Sequence, residues 1–155
     1  MSREMPGSVV NSLRTLVLLV VTTGVITALI WLLRDDVLLA WAKGNPSAQE
    51  ILAQGGIEAL REDQITPGFF ALALVAFIGF SLTALVLGSL LAGGHGWARP
   101  VLTATAFFGA LVAAVCLANN LPTIFVVLAI VLLILGGALI FFLWSRSTSA
   151  YLRHG

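Results

Sequence analysis

Charged residues are scarce in this sequence. Only 10% of its 155 residues are Asp, Glu, Lys or Arg, whereas 59% are hydrophobic. A soluble domain typically has about 25% charged and about 45–50% apolar residues. Both departures predict that a lipid bilayer, rather than water, surrounds most of the chain. The net charge is only +1 and no cluster of Lys and Arg occurs, which argues against a nucleic-acid partner.

Side chains that carry enzymatic or metal chemistry are also few. Cys116 is the single cysteine, so it forms no internal disulfide, and the only histidines are His95 and His154. A zinc or haem site needs several ligands at short spacing, which these three residues do not provide. The chain contains no phosphate-binding loop and no G-x-S-x-G or H-E-x-x-H sequence. We therefore expect no metal and no cofactor, and we favour a protein that is not an enzyme.

Long stretches with little or no charge predict four membrane spans. A helix needs about 20 apolar residues to cross a hydrocarbon core, and it satisfies its own backbone polar groups there. The sequence thus predicts an all-α polytopic membrane protein in which residues 1–155 form a single four-helix domain. The predicted spans are residues 12–33, 69–92, 101–118 and 121–144.

The first span raises the alternative of a cleaved secretory signal. Its start is basic, and Ala40-Trp41-Ala42 resembles a cleavage site. The uncharged run of residues 16–33 is, however, longer than the roughly 7–15 apolar residues of a signal core. We therefore expect the first span to be retained.

Residues 34–67 form the one long polar segment and hold six of the seven acidic residues. Asn45 and Pro46 predict a helix start, because Asn caps free amides and Pro at the first helical position loses no hydrogen bond. Gly55 and Gly56 predict a break. We expect one or two short amphipathic helices at the membrane face, although a solvated acidic connector fits the composition equally well. The same capping argument assigns Asn120 as the N-cap of the fourth helix.

The basic residues predict that the N- and C-termini are both cytoplasmic. Four spans place the termini on one side together with the short turn between the second and third spans. Five of the eight basic residues lie there, as the positive-inside rule requires: Arg3, Arg14, Arg99, Arg146 and Arg153. We accordingly expect a multi-pass protein of a bacterial plasma membrane, with the 34–67 segment as an extracytoplasmic outer loop.

Small residues at every fourth position are the clearest positive pattern in the spans. Such spacing lets membrane helices approach closely. The residues are Ala84, Gly88 and Ala92 in the second span, Ala106, Ala110, Ala114 and Ala118 in the third, and Gly136 and Gly137 in the fourth. The pattern favours internal packing of the second span against the third, and it leaves open that one face binds another subunit.

Two short motifs resemble those of small uncharacterised four-helix integral membrane proteins of actinobacteria. One is Trp97-Ala98-Arg99 between the second and third spans, and the other is the sequence SAYLR at residues 149–153. The resemblance covers roughly residues 69–153. It implies class and topology, and it assigns no catalytic residue.

These features favour a non-catalytic accessory or assembly subunit that binds a larger membrane-protein partner, or a second copy of itself, among the membrane lipids. The alternative is a small transporter, channel or lipid-handling protein, although coupled transport normally needs a charged residue within the spans. Its polar lining would be Thr22, Thr23, Thr27, Ser81, Thr83, Thr103 and Thr105. A third hypothesis is a membrane enzyme that uses the acid pairs Asp35-Asp36 and Glu62-Asp63. The plainer interpretation is that these acids lie at helix ends or form ion pairs.

Overall fold

The computed structural model describes residues 4–118 and 121–153, and all of its regular structure in these residues is α-helical. Arg3, Asn120 and His154, which the sequence analysis singled out, lie outside the described residues. The helices are α1 (Gly7–Leu32), α2 (Arg34–Lys43), α3 (Pro46–Glu62), α4 (Phe69–Ala92), α5 (Ala98–Leu117), α6 (Thr123–Leu143) and α7 (Arg146–Arg153).

Four of these helices, α1, α4, α5 and α6, are long and apolar enough to cross a membrane. Their surfaces expose many large apolar side chains, as expected for helices that contact lipid rather than water. The prediction of an all-α polytopic membrane protein is therefore confirmed, and the chain is described below as a four-helix integral membrane protein.

The four spans pack in the order α4, α1, α6, α5, with extensive contact between each neighbouring pair. Contact between α4 and α5 is much smaller, although a short turn joins them. Every fully buried residue of α4 lies between positions 84 and 91, in the half nearest that turn. The two helices therefore meet near the turn, and the remainder of α4 packs on α1.

This arrangement differs from the expectation that the second and third spans pack along their small residues. On α4 the small residues form a groove that receives leucines of α1: the position of a Cβ on Gly88 lies 3.5 Å from Leu13 Cδ2 and 3.6 Å from Leu16 Cδ1. A groove of small residues accepts large side chains as readily as a second small face, so spacing alone does not identify the partner helix.

The main core lies in the half of the bundle that contains the α4–α5 turn. Its members come from all four spans: Leu16, Leu19, Ala84, Leu87, Leu91, Ala98, Leu102, Leu139 and Leu143. The turn itself closes α4 with a Schellman motif, in which His95 N donates to Leu90 O and Gly94 N donates to Leu91 O. Gly94 has φ 82°, a value that glycine adopts without strain.

A second, smaller core joins α2 and α3. Leu38, Ala42, Ala48 and Leu60 are buried there, and the Trp41 ring meets the Phe69 ring edge-on at 6.1 Å. Asn45 Oδ1 accepts a hydrogen bond from Ala48 N, so the predicted helix start is confirmed. The predicted break is confirmed at Gly56, where φ is 69°. Most of the 34–67 segment is thus folded into two helices, α2 and α3, as expected.

The first turn of α5 and the C-terminal segment differ from the expectation. α5 begins at Ala98, so Arg99 and Pro100 lie in its first turn, where a proline is tolerated because the first amides of a helix have no partner in it. The polar residues after α6 form α7, which the sequence analysis treated as a tail. Tyr151 Oη donates to Ala92 O at 2.6 Å, which fixes α7 to the end of α4.

Candidate functional site

The bundle has two ends, and each gathers different polar groups. The terminal face comprises the start of α1, the α4–α5 turn and α7. The loop face comprises α2, α3 and the connection from α5 to α6. All the ion pairs of the described residues lie on the loop face, whereas the terminal face carries arginines without carboxylate partners.

The predicted small-residue positions fall into covered and uncovered groups. Ala84, Gly88 and Gly136 are buried, Ala92 and Ala110 are half-buried, and Ala106 is a half-buried residue packed on the main core. Ala114, Ala118 and Gly137 are exposed. The structure therefore brings the α4 residues together with α1, and it leaves the end of α5 that leads to the loop face without cover.

A close approach that the spacing argument missed joins α1 and α4. A Cβ on Gly24 would lie 3.2 Å from Phe77 Cε2. Gly24 is the only glycine within the uncharged run of the first span, and glycine inside a helix usually has a packing reason. That signal was available in the sequence, but it did not show that an aromatic ring of α4 is the neighbour.

The hydroxyls proposed to line a polar path bond mainly within their own helices. Thr22, Thr23, Thr27, Thr83, Thr103 and Thr105 each donate to the carbonyl four residues earlier. Such bonds satisfy a hydroxyl in an apolar environment without any neighbouring helix. Ser81 Oγ is buried and has no hydrogen-bond partner. One bond of this group crosses between spans, from Trp144 Nε1 to Thr103 Oγ1 at 3.0 Å.

Arg61, on α3, connects α3 to α2 on the loop face. Arg61 Nη2 lies 2.6 Å from Asp35 Oδ2, Arg61 Nε lies 3.1 Å from Asp35 Oδ1, and Arg61 Nη1 lies 2.9 Å from Glu58 Oε1. The hydrogen bonds from Arg61 lower the pKa of Asp35, and the Asp35 carboxylate raises the pKa of Arg61. This bidentate pair joins α2 to α3, so Asp35 has a structural partner.

The acid dependence of this pair is a testable consequence. Because the pKa of Asp35 is depressed in the folded state, the pair contributes stability above the unfolded value of about 3.9 and loses it as pH falls through the folded pKa. We expect acidification below about pH 4 to loosen α2 from α3, and Arg61→Gln to loosen it already at pH 7. The fluorescence emission of Trp41, in a protein whose other tryptophans are replaced, reports this loosening.

Arg34→Gln is the matched control for that measurement. Arg34 is exposed and its Nε lies 3.9 Å from Asp35 Oδ1, at the limit of an ion pair. Its removal should leave the Trp41 emission at pH 7 close to that of the wild type. If the wild type, Arg61→Gln and Arg34→Gln gave the same Trp41 emission at every pH from 7 to 2, the Asp35–Arg61 pair would not join the two helices.

A mostly apolar cleft of about 500 Å³ lies on the loop face. It lies between the α2–α3 unit and the residues that lead into α6. Its lining consists of Asp36, Leu39, Ala40, Ala42, Lys43, Gln49, Leu52, Leu121 and Pro122. Ala118, at the C-terminal end of α5, is exposed and lies three positions before Leu121 in the chain. This loop-face cleft and the uncovered end of α5 thus occupy the same end of the molecule.

Buried hydroxyls join the two ends of the chain on the terminal face. Thr148 is completely buried, and its Oγ1 lies 2.8 Å from Ser8 Oγ and 2.9 Å from Phe142 O. Ser145 Oγ donates to Thr148 Oγ1, and Ser147 Oγ donates to Ser8 Oγ at 2.7 Å. This network holds α7 against the start of α1.

A second cleft, of about 420 Å³, opens between α5, the end of α6 and α7. It is lined by Gly96, Arg99, Trp144, Ser149, Leu152 and Arg153. Both sequence motifs of the actinobacterial resemblance therefore contribute to the same cleft, Arg99 from the first and residues 149, 152 and 153 from the second. Sequence analysis did not connect them because 50 positions separate Arg99 from Ser149 and α7 was not foreseen.

The remaining candidates for chemistry are dispersed. His95 is exposed in the α4–α5 turn and its Nδ1 lies 3.2 Å from Leu90 O, whereas Cys116 is half-buried near the other end of α5. Asp63 Oδ1 accepts a hydrogen bond from Ile65 N at the end of α3. In residues 4–118 and 121–153, no three His, Cys, Asp or Glu side chains are grouped so that they could hold a metal ion.

Comparison with known proteins does not extend these observations: no protein-family model matches the chain, and no curated protein or solved structure is significantly similar to it.

Proposed function

We propose that this integral membrane protein is a non-catalytic accessory subunit that binds a larger membrane-protein partner at the loop-face end of α5. The partner surface comprises Ala114 and Ala118, where a helix of the partner packs, and the loop-face cleft, where an adjoining segment of the partner fits. The observation that carries the proposal is that the exposed small residues of α5 and this cleft lie at the same end of the bundle.

Physical reasoning supports a helix rather than lipid on this face. Between membrane helices no hydrophobic effect drives association, so close packing over small residues is a main source of affinity. On α4 the same type of groove is already occupied by leucines of α1. On α5, Ala114 and Ala118 are one helical turn apart and nothing in the described chain covers them.

The transport alternative has weaker support from the geometry. The threonine hydroxyls of the spans donate to their own helices, and the single cross-helix bond among them, from Trp144 to Thr103, lies near the terminal face. The enzyme alternative is weakened in the same way, since Asp35 is held by Arg61 and Asp63 caps a turn. A non-catalytic subunit is consistent with the structural roles of Asp35, Asp63 and the bonded threonines.

Enlarging the proposed partner surface should disrupt the complex. In the double variant Ala114→Leu, Ala118→Leu, each leucine occupies space that a partner helix needs, and overpacking of about 1–3 kcal/mol corresponds to a loss of affinity of about 5- to 150-fold. Blue native electrophoresis of membranes extracted in mild detergent measures this as a shift from a large complex to the free subunit.

Ala104→Leu is the matched control for the same experiment. Ala104 is also an exposed alanine on α5, but it lies in the half nearest the terminal face. The proposal requires that this variant retain the large complex. Retention of the complex by both variants would remove α5 as the partner surface, and co-purification of two differently tagged copies would identify the partner as a second copy of the chain.

The same proposal places the loop face outside a bacterial plasma membrane and the termini in the cytoplasm, in agreement with the positive-inside rule. Ser47, on α3, and Ala150, on α7, are exposed at opposite ends of the bundle. In a Cys116→Ser background, a membrane-impermeant maleimide should label Ser47→Cys in intact cells and Ala150→Cys only after permeabilisation. The reverse labelling pattern would show that the loop face is cytoplasmic and the termini are outside.

A further inference from the structure

We propose that the cleft lined by Arg99, Trp144 and Arg153 on the terminal face binds a phosphate group, carried either by an anionic lipid headgroup or by a soluble phosphate. This site lies at the opposite end of the bundle from the partner surface, so it is independent of the proposed subunit function. Three features of the cleft carry the inference: an unpaired guanidinium held in place, an uncompensated positive charge and a position at the membrane interface.

Arg99 is held in a fixed orientation and has no anionic partner. Its Cζ lies 3.9 Å from the centre of the Trp144 ring, a cation–π geometry, and Trp144 Nε1 is itself anchored on Thr103 Oγ1. Arg99 Nε is buried without a hydrogen-bond partner, and no ion pair of the described residues involves this guanidinium. The guanidinium of Arg99, which lines the cleft, thus has no anionic partner within the described chain, and a phosphate oxygen in the cleft would supply one.

The charged side chains that line the cleft are all positive. Arg153 lines it together with Arg99, and no carboxylate is among the lining residues. Six of the seven acidic residues of the chain belong to the 34–67 segment at the other end. Arg99 also lies in the first turn of α5, at the positive end of that helix dipole, whereas Arg153 lies at the C-terminal, negative end of α7. A guanidinium fork matches the geometry of phosphate oxygens.

The surroundings of the cleft favour a lipid headgroup as the source of the phosphate. Trp97 and Trp144 are both more than half exposed and lie where spans end, the position that aromatic residues take at a membrane interface. One turn deeper on α6, the Phe141 side chain is 72% exposed. A headgroup in the cleft would therefore be continuous with an apolar surface on which its acyl chain can lie.

Native mass spectrometry of the purified full chain tests the site with phosphatidylglycerol and phosphatidylcholine of identical acyl chains. We expect the anionic lipid to be retained preferentially, and Arg99→Gln or Arg153→Gln to weaken its binding by at least about tenfold, the effect of losing one charged hydrogen bond. Titration of the lipid-free protein in detergent with inorganic phosphate tests the soluble source. Binding of phosphate there, together with loss of bound phosphatidylglycerol when phosphate is added to the lipid-loaded protein, would support the site and assign it to a soluble phosphate.

Arg146→Gln is the matched control, since Arg146 is an exposed arginine of the same face that does not line the cleft. It should change lipid binding by less than about twofold. Arg99→Lys, which keeps the charge and loses the fork, should bind with intermediate affinity, and its thermal midpoint reports folding. Equal retention of the two lipids without phosphate binding, or equal effects of Arg99→Gln, Arg153→Gln and Arg146→Gln, would overturn the proposal.

Discussion

Replacement of Gly88 by leucine is expected to destabilise the bundle by about 1–3 kcal/mol, the usual cost of overpacking a filled interior. Gly88 is buried, and the position of its Cβ already lies 3.5–3.6 Å from the ends of Leu13 and Leu16. One added carbon fits this space, whereas the three further carbons of leucine would displace α1 from α4. The free energy of unfolding in a denaturing-detergent titration measures the effect.

Two variants on the same helix serve as controls for this prediction. Gly88→Ala places a carbon at ordinary contact distance and improves helix propensity by up to about 1 kcal/mol, so it should be as stable as the wild type or more stable. Gly79→Leu adds the same bulk at an exposed position where nothing lies within 4 Å. If Gly88→Leu were no less stable than Gly79→Leu, the packing of α4 on α1 described above would be incorrect.

Replacement of Thr148 by valine is expected to cost about 1–3 kcal/mol, because it removes the buried hydrogen bonds to Ser8, Ser145 and Phe142. Valine has nearly the same shape, so the loss reports the hydroxyl rather than a cavity. Thr148 Oγ1 contacts Ser8 Oγ, Ser145 Oγ and Phe142 O, and the residue is completely buried. Amide hydrogen exchange should show faster exchange in α7, together with a lower free energy of unfolding.

Thr105→Val provides the comparison for that substitution. The Thr105 hydroxyl donates only to Val101 O within its own helix, so its removal should alter stability by less than about 0.5 kcal/mol, as is usual away from buried networks. An equal loss in both variants would mean that the contact between α7 and the start of α1 contributes nothing beyond local helix bonding.

The membrane spans and the helix start at Asn45 were predictable because local signals determine them. Uncharged runs of sufficient length specify spans regardless of their neighbours, and a capping side chain bonds three residues away. Helix pairing was not predictable in this way. The groove at Gly88 accepts Leu13 and Leu16 of α1, yet its spacing fits the alanines of α5 equally well, so tertiary packing decided between two locally equivalent partners.

The candidate sites also divide into features that local sequence predicts and features that depend on tertiary packing. The exposed alanines at Ala114 and Ala118 were found from spacing, although only the structure showed that Ala84 and Gly88 on α4 are covered. The cleft at Arg99 was missed because it requires α7, whose eight mostly polar residues were interpreted as a tail although their sequence is amphipathic. Its stability comes instead from Thr148 and from other long-range hydrogen bonds that a local pattern does not encode.

Site-specific photocrosslinking in native membranes tests the proposed subunit function most directly. A photoreactive amino acid placed at position 118 should give one discrete adduct of higher mass, because Ala118 lies in the proposed partner surface. The same amino acid at position 104, also on α5 and also exposed, should give none. An adduct at 118 alone would support binding of a membrane-protein partner at the loop-face end of α5, whereas no adduct at 118, or equal adducts at both positions, would contradict it.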